Sequence, residues 1–259
     1  MMQDGGNSLG ALDELFSSKG YLYFHDAIYP PERRQIEVDF LVGALALTKS
    51  MRLLDAGCGH GRHSNRLSAH VAEILALDRN GEFLEVAKRE ADENGIRNIK
   101  YEQADIREID FPSAFDRVVL ANTIFGIFSD AENALLLRRL GSSLRPDGLL
   151  FFDVVNRDVI LCGLQHHAIT ECSGDYLLDR LSFDPETGRM SNGRVYIRSG
   201  VATEAPFSLR VYNRSEISAL LTQAGLKLVS AYDGWTGKPF NAQSKKILIV
   251  ASHHIPADP

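Results

Sequence analysis

From residue 51 onward, short apolar runs alternate with stretches in which apolar residues recur every three to four positions. Runs at 51–54, 72–77, 99–103, 115–121 and 149–155 predict five strands. The first and the last two are nearly all apolar, as parallel strands covered on both faces should be. Between them, 62–69, 80–94 and 130–143 carry helical spacing. Phe83, Val86 and Ala87 mark one face, and Ala134, Leu137, Leu140 and Leu144 mark another. These are the covering helices of βαβ units. Upstream, Pro31, Glu32 and Arg33 open an apolar-periodic helix that runs to Leu47, with proline and an acid in its first turn. A dense aromatic segment, Tyr21, Tyr23, Phe24 and Tyr29, precedes it, and the first eight residues read as frayed. After Val155 the period changes. Stretches 176–183, 194–199 and 209–212 alternate apolar and polar residues around the turn signals Asp184-Pro185-Glu186-Thr187-Gly188 and Gly200, which is antiparallel chemistry. A capped helix at 215–224, ended by Gly225, and strands at 226–232 and 246–251 then resume the first pattern.

This order predicts an α/β fold with a doubly wound, Rossmann-like sheet, an N-terminal helical lid and an antiparallel β insertion. The expected boundaries are 1–50 for the lid, 51–159 for the cofactor-binding core, 160–212 for a substrate-capping insertion and 213–259 for completion of the core sheet. A length of 259 residues is enough for a core without disulfides or structural metal. With 28 basic against 34 acidic residues the net charge is -6, so the broad positive field that duplex nucleic acid requires is missing and nucleic acid is disfavoured as a partner. The longest apolar run, Phe40 to Leu47, has 8 residues against the roughly 18 of a membrane span, so no membrane partner is expected. The opening residues lack a basic region followed by an apolar one, and a cytoplasmic location is expected. Cys58, Cys162 and Cys172 have no paired spacing, which leaves no case for a disulfide framework or zinc.

The most informative stretch is Leu53-Leu54-Asp55-Ala56-Gly57-Cys58-Gly59-His60-Gly61-Arg62, in which a buried strand meets a glycine-rich turn that opens a helix. Dinucleotide binding wants G-x-G-x-x-G with helix amides on a pyrophosphate. Here the order is G-x-G-x-G, and Asp55, just ahead of it, would repel a phosphate but suit a cationic amino group. Asp78 ends the next strand, where a doubly wound fold places an acceptor for ribose hydroxyls. Asp105 ends the third, where it can accept from an exocyclic amine. Three acidic strand ends facing one crevice imply a nucleoside that bears a cation. His60 and His63 have H-x-x-H spacing but no third ligand nearby, so no metal is expected.

At these residues the chain resembles the class I S-adenosylmethionine-dependent methyltransferases. Asp55-Ala-Gly-Cys-Gly-His-Gly61 is similar to their first motif, and Asp78 and Asp105 to their ribose and adenine carboxylates. Phe115-Asp116-Arg117-Val118-Val119 is similar to their fourth strand, and Leu144-Arg145-Pro146-Asp147-Gly148 to the turn before their fifth, with Asp147 departing from the pattern. Pro31-Glu32-Arg33, Arg62-His63 and Phe125-Gly126-Ile127-Phe128 look closest to the bacterial small-molecule N-methyltransferases. The resemblance implies S-adenosyl-L-methionine as cofactor, held by Arg33, Asp55, Gly57, Cys58, Gly59, Asp78, Arg79, Asp105, Ile106 and Asn122. It implies a small organic acceptor, an amine slightly preferred over a hydroxyl, bounded by Tyr21, Tyr23, Phe125, Phe128 and Arg210. No catalytic residue is assigned; Tyr23, His25, His166 and His167 are the candidates for a general base. Asn122-Thr123-Ile124-Phe125 lacks both prolines of the nucleic-acid amino-methyltransferases. Trp235, flanked by glycines in the loop between the last two strands, reads as an exposed position open to an interface role that the sequence does not decide, and a homodimer is allowed for. Two alternatives stand beside this reading: a non-catalytic subunit that binds the same cofactor, and a nicotinamide-dependent oxidoreductase.

Overall fold

A computed structural model describes residues 6–253 of the chain. The five runs of the first pattern form β1 (Arg52–Ala56), β2 (Glu73–Asp78), β3 (Ile99–Gln103), β4 (Phe115–Leu120) and β5 (Leu144–Val155). Residues 167–210 carry β6 (His167–Cys172), β7 (Asp175–Asp184), β8 (Arg189–Asn192), β9 (Val195–Arg198), β10 (Val201–Glu204) and β11 (Phe207–Arg210). The chain returns to the first sheet with β12 (Leu226–Asp233) and β13 (Lys246–His253). Its order is β12-β13-β5-β4-β1-β2-β3, parallel from β5 to β3 and antiparallel at the β5, β13, β12 edge. Chain order reverses between β1 and β4, so a crevice opens there at the carboxyl edge.

The helices are α1 (Leu9–Leu15), α2 (Tyr23–Ile28), α3 (Pro31–Ala44), α4 (Ser64–Leu67), α5 (Gly81–Glu93), α6 (Asp130–Ser142), α7 (Arg157–Cys162) and α8 (Arg214–Gln223). Val38, Leu41 and Leu45 bring α3 onto one sheet face with Leu53, Val119 and Phe151. Leu136, Leu137 and Leu140 bring α6 onto the other with Leu54, Val118 and Phe152. Residues buried on both faces explain why these strands read as continuous apolar runs. Side-chain caps from Asn80 and Ser129 start α5 and α6. No helix among the described residues is long and apolar enough to cross a membrane.

The structure departs from the sequence expectation at several points. Stretch 144–148 lies within β5 as a bulge: Leu144 is opposite Phe115, and pairing resumes with Leu149 opposite Arg117. Gly148 folds so tightly over Leu144 that an added Cβ would lie 2.9 Å from both the Arg145 carbonyl and the Leu144 side chain. The insertion has six strands where the alternation marked three, because β6, β8 and β10 are short or largely exposed and carry little apolar signal. Of the eight residues expected to fray, 1–5 lie outside the described residues and 6–8 are held in place. Asn7 donates to the Ile127 and Ser208 carbonyls at 2.6 and 2.8 Å and accepts from the Ser208 amide at 2.7 Å. Trp235 is not an exposed contact; its ring packs against Phe40 and Phe151 at 5.5 and 5.6 Å and near His63 at 6.0 Å.

Candidate functional site

β1 ends in the glycine turn, where Gly57 and Gly61 adopt φ of 77° and 78°. Only glycine is at ease there, and space reinforces the demand. A Cβ on Gly57 would sit 2.5 Å from Ile124, and one on Gly61 would sit 2.8 Å from Ala87. The turn's amides are engaged inside the protein. Gly57 and Cys58 both donate to the Leu77 carbonyl at 2.7 and 2.9 Å, Gly59 donates to Asp78 at 2.8 Å, and Gly61 donates to the Cys58 carbonyl at 3.1 Å. A pyrophosphate needs such amides free, so this turn is shaped for close approach of a ligand and not for anion capture.

Asp78 stands at the end of β2 with one carboxylate oxygen on the Gly59 amide and the other on the Asn80 amide, each at 2.8 Å. Burial pushes its pKa up, against the pull of those two hydrogen bonds. Asp105 caps a short helical turn and is clasped by Arg107, with the closest contact at 2.6 Å. Burial alone would raise its pKa, but the Arg107 hydrogen bonds outweigh it and hold the carboxyl below the usual range. Asp55 does not join them. Its side chain is buried beneath the turn and accepts from the Ser64 hydroxyl, and burial pushes its pKa up. The crevice is therefore bordered by two acidic strand ends where the sequence suggested three.

Above these groups lies an open cleft with mostly apolar walls and a few convergent polar groups, the lining usual for small-molecule and cofactor sites. Of the residues chosen from sequence, Tyr21, Gly57, Cys58, Gly59, Asp78, Arg79, Asp105, Ile106, Asn122 and Phe128 line it. Sequence reasoning gave no ligand-holding role to Leu12, Phe16, His60, Arg62, Phe83 and Ile124, which line it as well. Leu12 and Phe16 gave no signal because nothing in their spacing links them to the sheet. Arg62 was visible as the residue after the glycines.

The remaining choices fall elsewhere. Phe125 is fully buried, with its ring 5.0 Å from Phe152 and 5.5 Å from Tyr212, and is a core residue. Arg210 lies over the Tyr212 ring and pairs with Glu216 at 3.0 Å and Asp130 at 3.5 Å. Tyr23 turns to the insertion, donating to the Cys172 carbonyl at 3.3 Å beneath the Arg198 guanidinium. The neighbouring Asp175 carboxylate, which competes for the same hydroxyl proton, pushes the phenol pKa up. His25 is buried between Tyr21, Tyr29 and His60, one layer behind the cleft. His166 and His167 are exposed at the edge of the second sheet, where His166 meets the Leu181 carbonyl. Arg33 pairs with Glu37 at 2.8 Å and lies over Tyr29.

Two buried charge clusters support the cleft wall. Glu37, on α3, is 0% exposed and meets Arg62 at 2.7 Å and His63 at 3.0 Å. Burial would raise its pKa, but His63, Arg62 and Arg33 together hold it below the usual range. Arg62 also donates to the Asn122 side chain, while its Nε finds no acceptor in the protein. Asn122 and Thr123 have φ of 70° and 60°, a costly conformation for such residues. Asp153 restrains them by accepting from the Thr123 amide and hydroxyl at 2.8 and 2.7 Å, and Lys246 completes the cluster at 2.8 Å from Asp153.

Residues 53–148 match a family model described as a methyltransferase domain. The chain is 25% identical over 205 residues to the cypemycin N-terminal methyltransferase of a Streptomyces species, an alignment covering 76% of this chain and 81% of that one. It is 36% identical over 112 residues to a ubiquinone biosynthesis O-methyltransferase of Azorhizobium caulinodans, and there it spans only 43% of the relative's length. Among solved structures the CcbJ methyltransferase of Streptomyces caelestis superposes with a TM-score of 0.79 at 19% identity, covering 94% of this chain and 100% of that one.

Proposed function

Because the chain belongs to the class I S-adenosylmethionine-dependent methyltransferases, we propose that it transfers the cofactor's methyl group to an amine nitrogen of a small organic molecule. The residues fit the cofactor. The glycine turn leaves a cradle that a Cβ would fill, Asp78 and Asp105 would accept from ribose and adenine, and Phe83, Ile106 and Phe128 would wall the base. Arg62, which lines the cleft and has an Nε lacking an acceptor in the protein, suits the carboxylate of the methionyl end better than Arg33, which does not line it. When bound, the cofactor supplies an electrophilic methyl on a sulfonium. The protein then has to align the nucleophile and exclude water. The Asp153 and Lys246 pair holds the Asn122 turn in place for that task, and the N-terminal aromatics close the cleft.

One observation carries the amine reading. Each carboxylate lining the cleft has a partner: Asp78 binds turn amides, Asp105 binds Arg107 and Asp13 pairs with Arg79 at 3.0 Å. None of them stands ready to take the proton of a hydroxyl, whereas a neutral amine needs no base. The relative matched over most of its length is named as an N-terminal methyltransferase, which agrees. A second reading is transfer to a hydroxyl with His60 as base, favoured by its imidazole on the cleft wall and by the O-methyltransferase relative. A labelled-methyl screen over amines, amino acids, aminosugars and phenols tests both. Label in amines, with rates in His60→Gln within a few-fold of the parent, supports the first. Label confined to phenols, with the acid limb of the pH profile lost in His60→Gln, overturns it. Label in no acceptor would leave only the non-catalytic binding alternative.

A further inference from the structure

The second sheet grips the N-terminal segment through side chains that do not line the cleft. We propose that Tyr196 and Asn7 are positioning residues that latch residues 6–22 as a roof over the cofactor cleft, so that the insertion sets how long cofactor and product stay bound. This rests on the cofactor reading above. Leu12, Phe16 and Tyr21 face the cleft, while Glu14, Ser17 and Gly20 face a second, open cleft on the side of Tyr196. The segment is thus one layer thick and needs an anchor.

Tyr196, on β9, is 3% exposed; its hydroxyl donates to the Leu15 carbonyl at 3.1 Å and its ring stacks on Phe24 at 5.8 Å. Gly20 touches the same ring so closely that a Cβ would lie 2.6 Å from it. At the other end, Asn7 ties the segment to Ser208 on β11 and to Ile127 on the cleft wall by three hydrogen bonds. A Cβ on Gly6 would be 2.6 Å from the Ser129 amide. On the core side, Asn80 donates to the Phe16 carbonyl at 2.6 Å and Arg79 to the Leu9 carbonyl at 3.3 Å. These two residues follow Asp78 directly, so the roof rests on the loop that carries the ribose acceptor. For cofactor to leave, the roof must lift, and the latch hydrogen bonds oppose that.

Tyr196→Phe removes the Leu15 hydrogen bond and keeps the ring; Asn7→Ala removes the far latch. Ile169→Ser is the control, since Ile169 is 70% exposed and its register with Leu178 puts it on the sheet face opposite Leu177 and Tyr196. Amide hydrogen exchange of residues 9–16 is followed in the ligand-free protein, and S-adenosylhomocysteine release is followed by stopped-flow competition. Both latch variants should exchange faster and release ligand faster, about three- to tenfold for Tyr196→Phe, which loses one ordinary hydrogen bond, and roughly tenfold or more for Asn7→Ala, which loses three; the control should match the parent. A merely structural role would lower the melting temperature without changing release from the folded protein. Exchange within twofold of the parent in both variants overturns the latch, and faster exchange with unchanged release overturns its link to ligand residence. A parent protein that binds no S-adenosylhomocysteine refutes the cofactor reading, and the exchange arm then judges the latch alone.

Discussion

Replacing Asp78 by Asn tests the cofactor assignment at the atom that carries it. The Asp78 carboxylate accepts from two backbone amides, Gly59 and Asn80, both at 2.8 Å. An amide side chain offers one acceptor, so one of those N–H groups would face an NH2. The expected cost to stability is about 1–3 kcal/mol, the penalty for an unmatched, partly buried donor. On the ligand side, a charge-assisted bond to a ribose hydroxyl, worth roughly 1.5–3 kcal/mol, becomes a neutral one worth roughly 0.5–1.5. The difference of about 1–2 kcal/mol corresponds to an increase of roughly 5- to 30-fold in the S-adenosylhomocysteine Kd. Calorimetric titration reads that number, and turnover at saturating cofactor should change by less than about threefold, because ribose contacts are alike in ground and transition states. Burial raises the Asp78 pKa, so in the parent protonation begins above the ordinary carboxylate range and affinity weakens as pH falls into it. The Asn variant should lack that dependence. A Kd within twofold of the parent, or a loss of turnover at unchanged Kd, would refute the assignment.

Two further predictions concern the buried clusters. Glu37→Leu leaves buried Arg62 without its carboxylate and should destabilise the protein by about 3–5 kcal/mol in urea unfolding, the range for breaking a buried pair; a loss under 1 kcal/mol would mean that the pair is compensated elsewhere. For Asp153, burial alone would raise the pKa, but Lys246 and Thr123 outweigh it and hold it below the ordinary value of about 3.9. The unfolded chain therefore takes up the proton first as pH falls. The contribution is complete above the unfolded pKa and is lost as pH drops through the lower, folded one, so Asp153→Asn should flatten the acid limb of stability against pH. An acid limb as steep as the parent's would contradict this.

The central strands β1, β4 and the second half of β5 were legible because burial on both faces leaves a continuous apolar run wherever the chain goes. The glycine turn with Asp78 and Asp105 was legible because a left-handed turn and a strand end each demand particular residue types at fixed positions. The insertion was half legible: β7 and β9 alternate, but β10 is exposed throughout and has no apolar face to declare itself. Phe125 and Phe128 show the limit at close range. They stand three residues apart in one motif, yet the turn around Gly126, at φ 107°, sends Phe125 into the core beside Phe152 and leaves Phe128 on the cleft.

The amino-acid order alone determined the fold class, the crevice at the carboxyl edge of the sheet and two of its acidic borders, since these follow from periodicity and from residues that only one backbone conformation suits. Partnership was decided in three dimensions. Glu37 reads as an ordinary helix-surface acid, and 26 residues separate it from His63, but packing of α3 beside the glycine turn buries it among Arg33, Arg62 and His63. Asp55 reads as a crevice carboxylate, but the following helix sets Ser64 over it. Asn7 and Tyr196 lie far from the motif, and each found its role by meeting a backbone group, the Ser208 amide for one and the Leu15 carbonyl for the other. A backbone partner has no residue type to recognise, so such contacts leave no pattern along the chain.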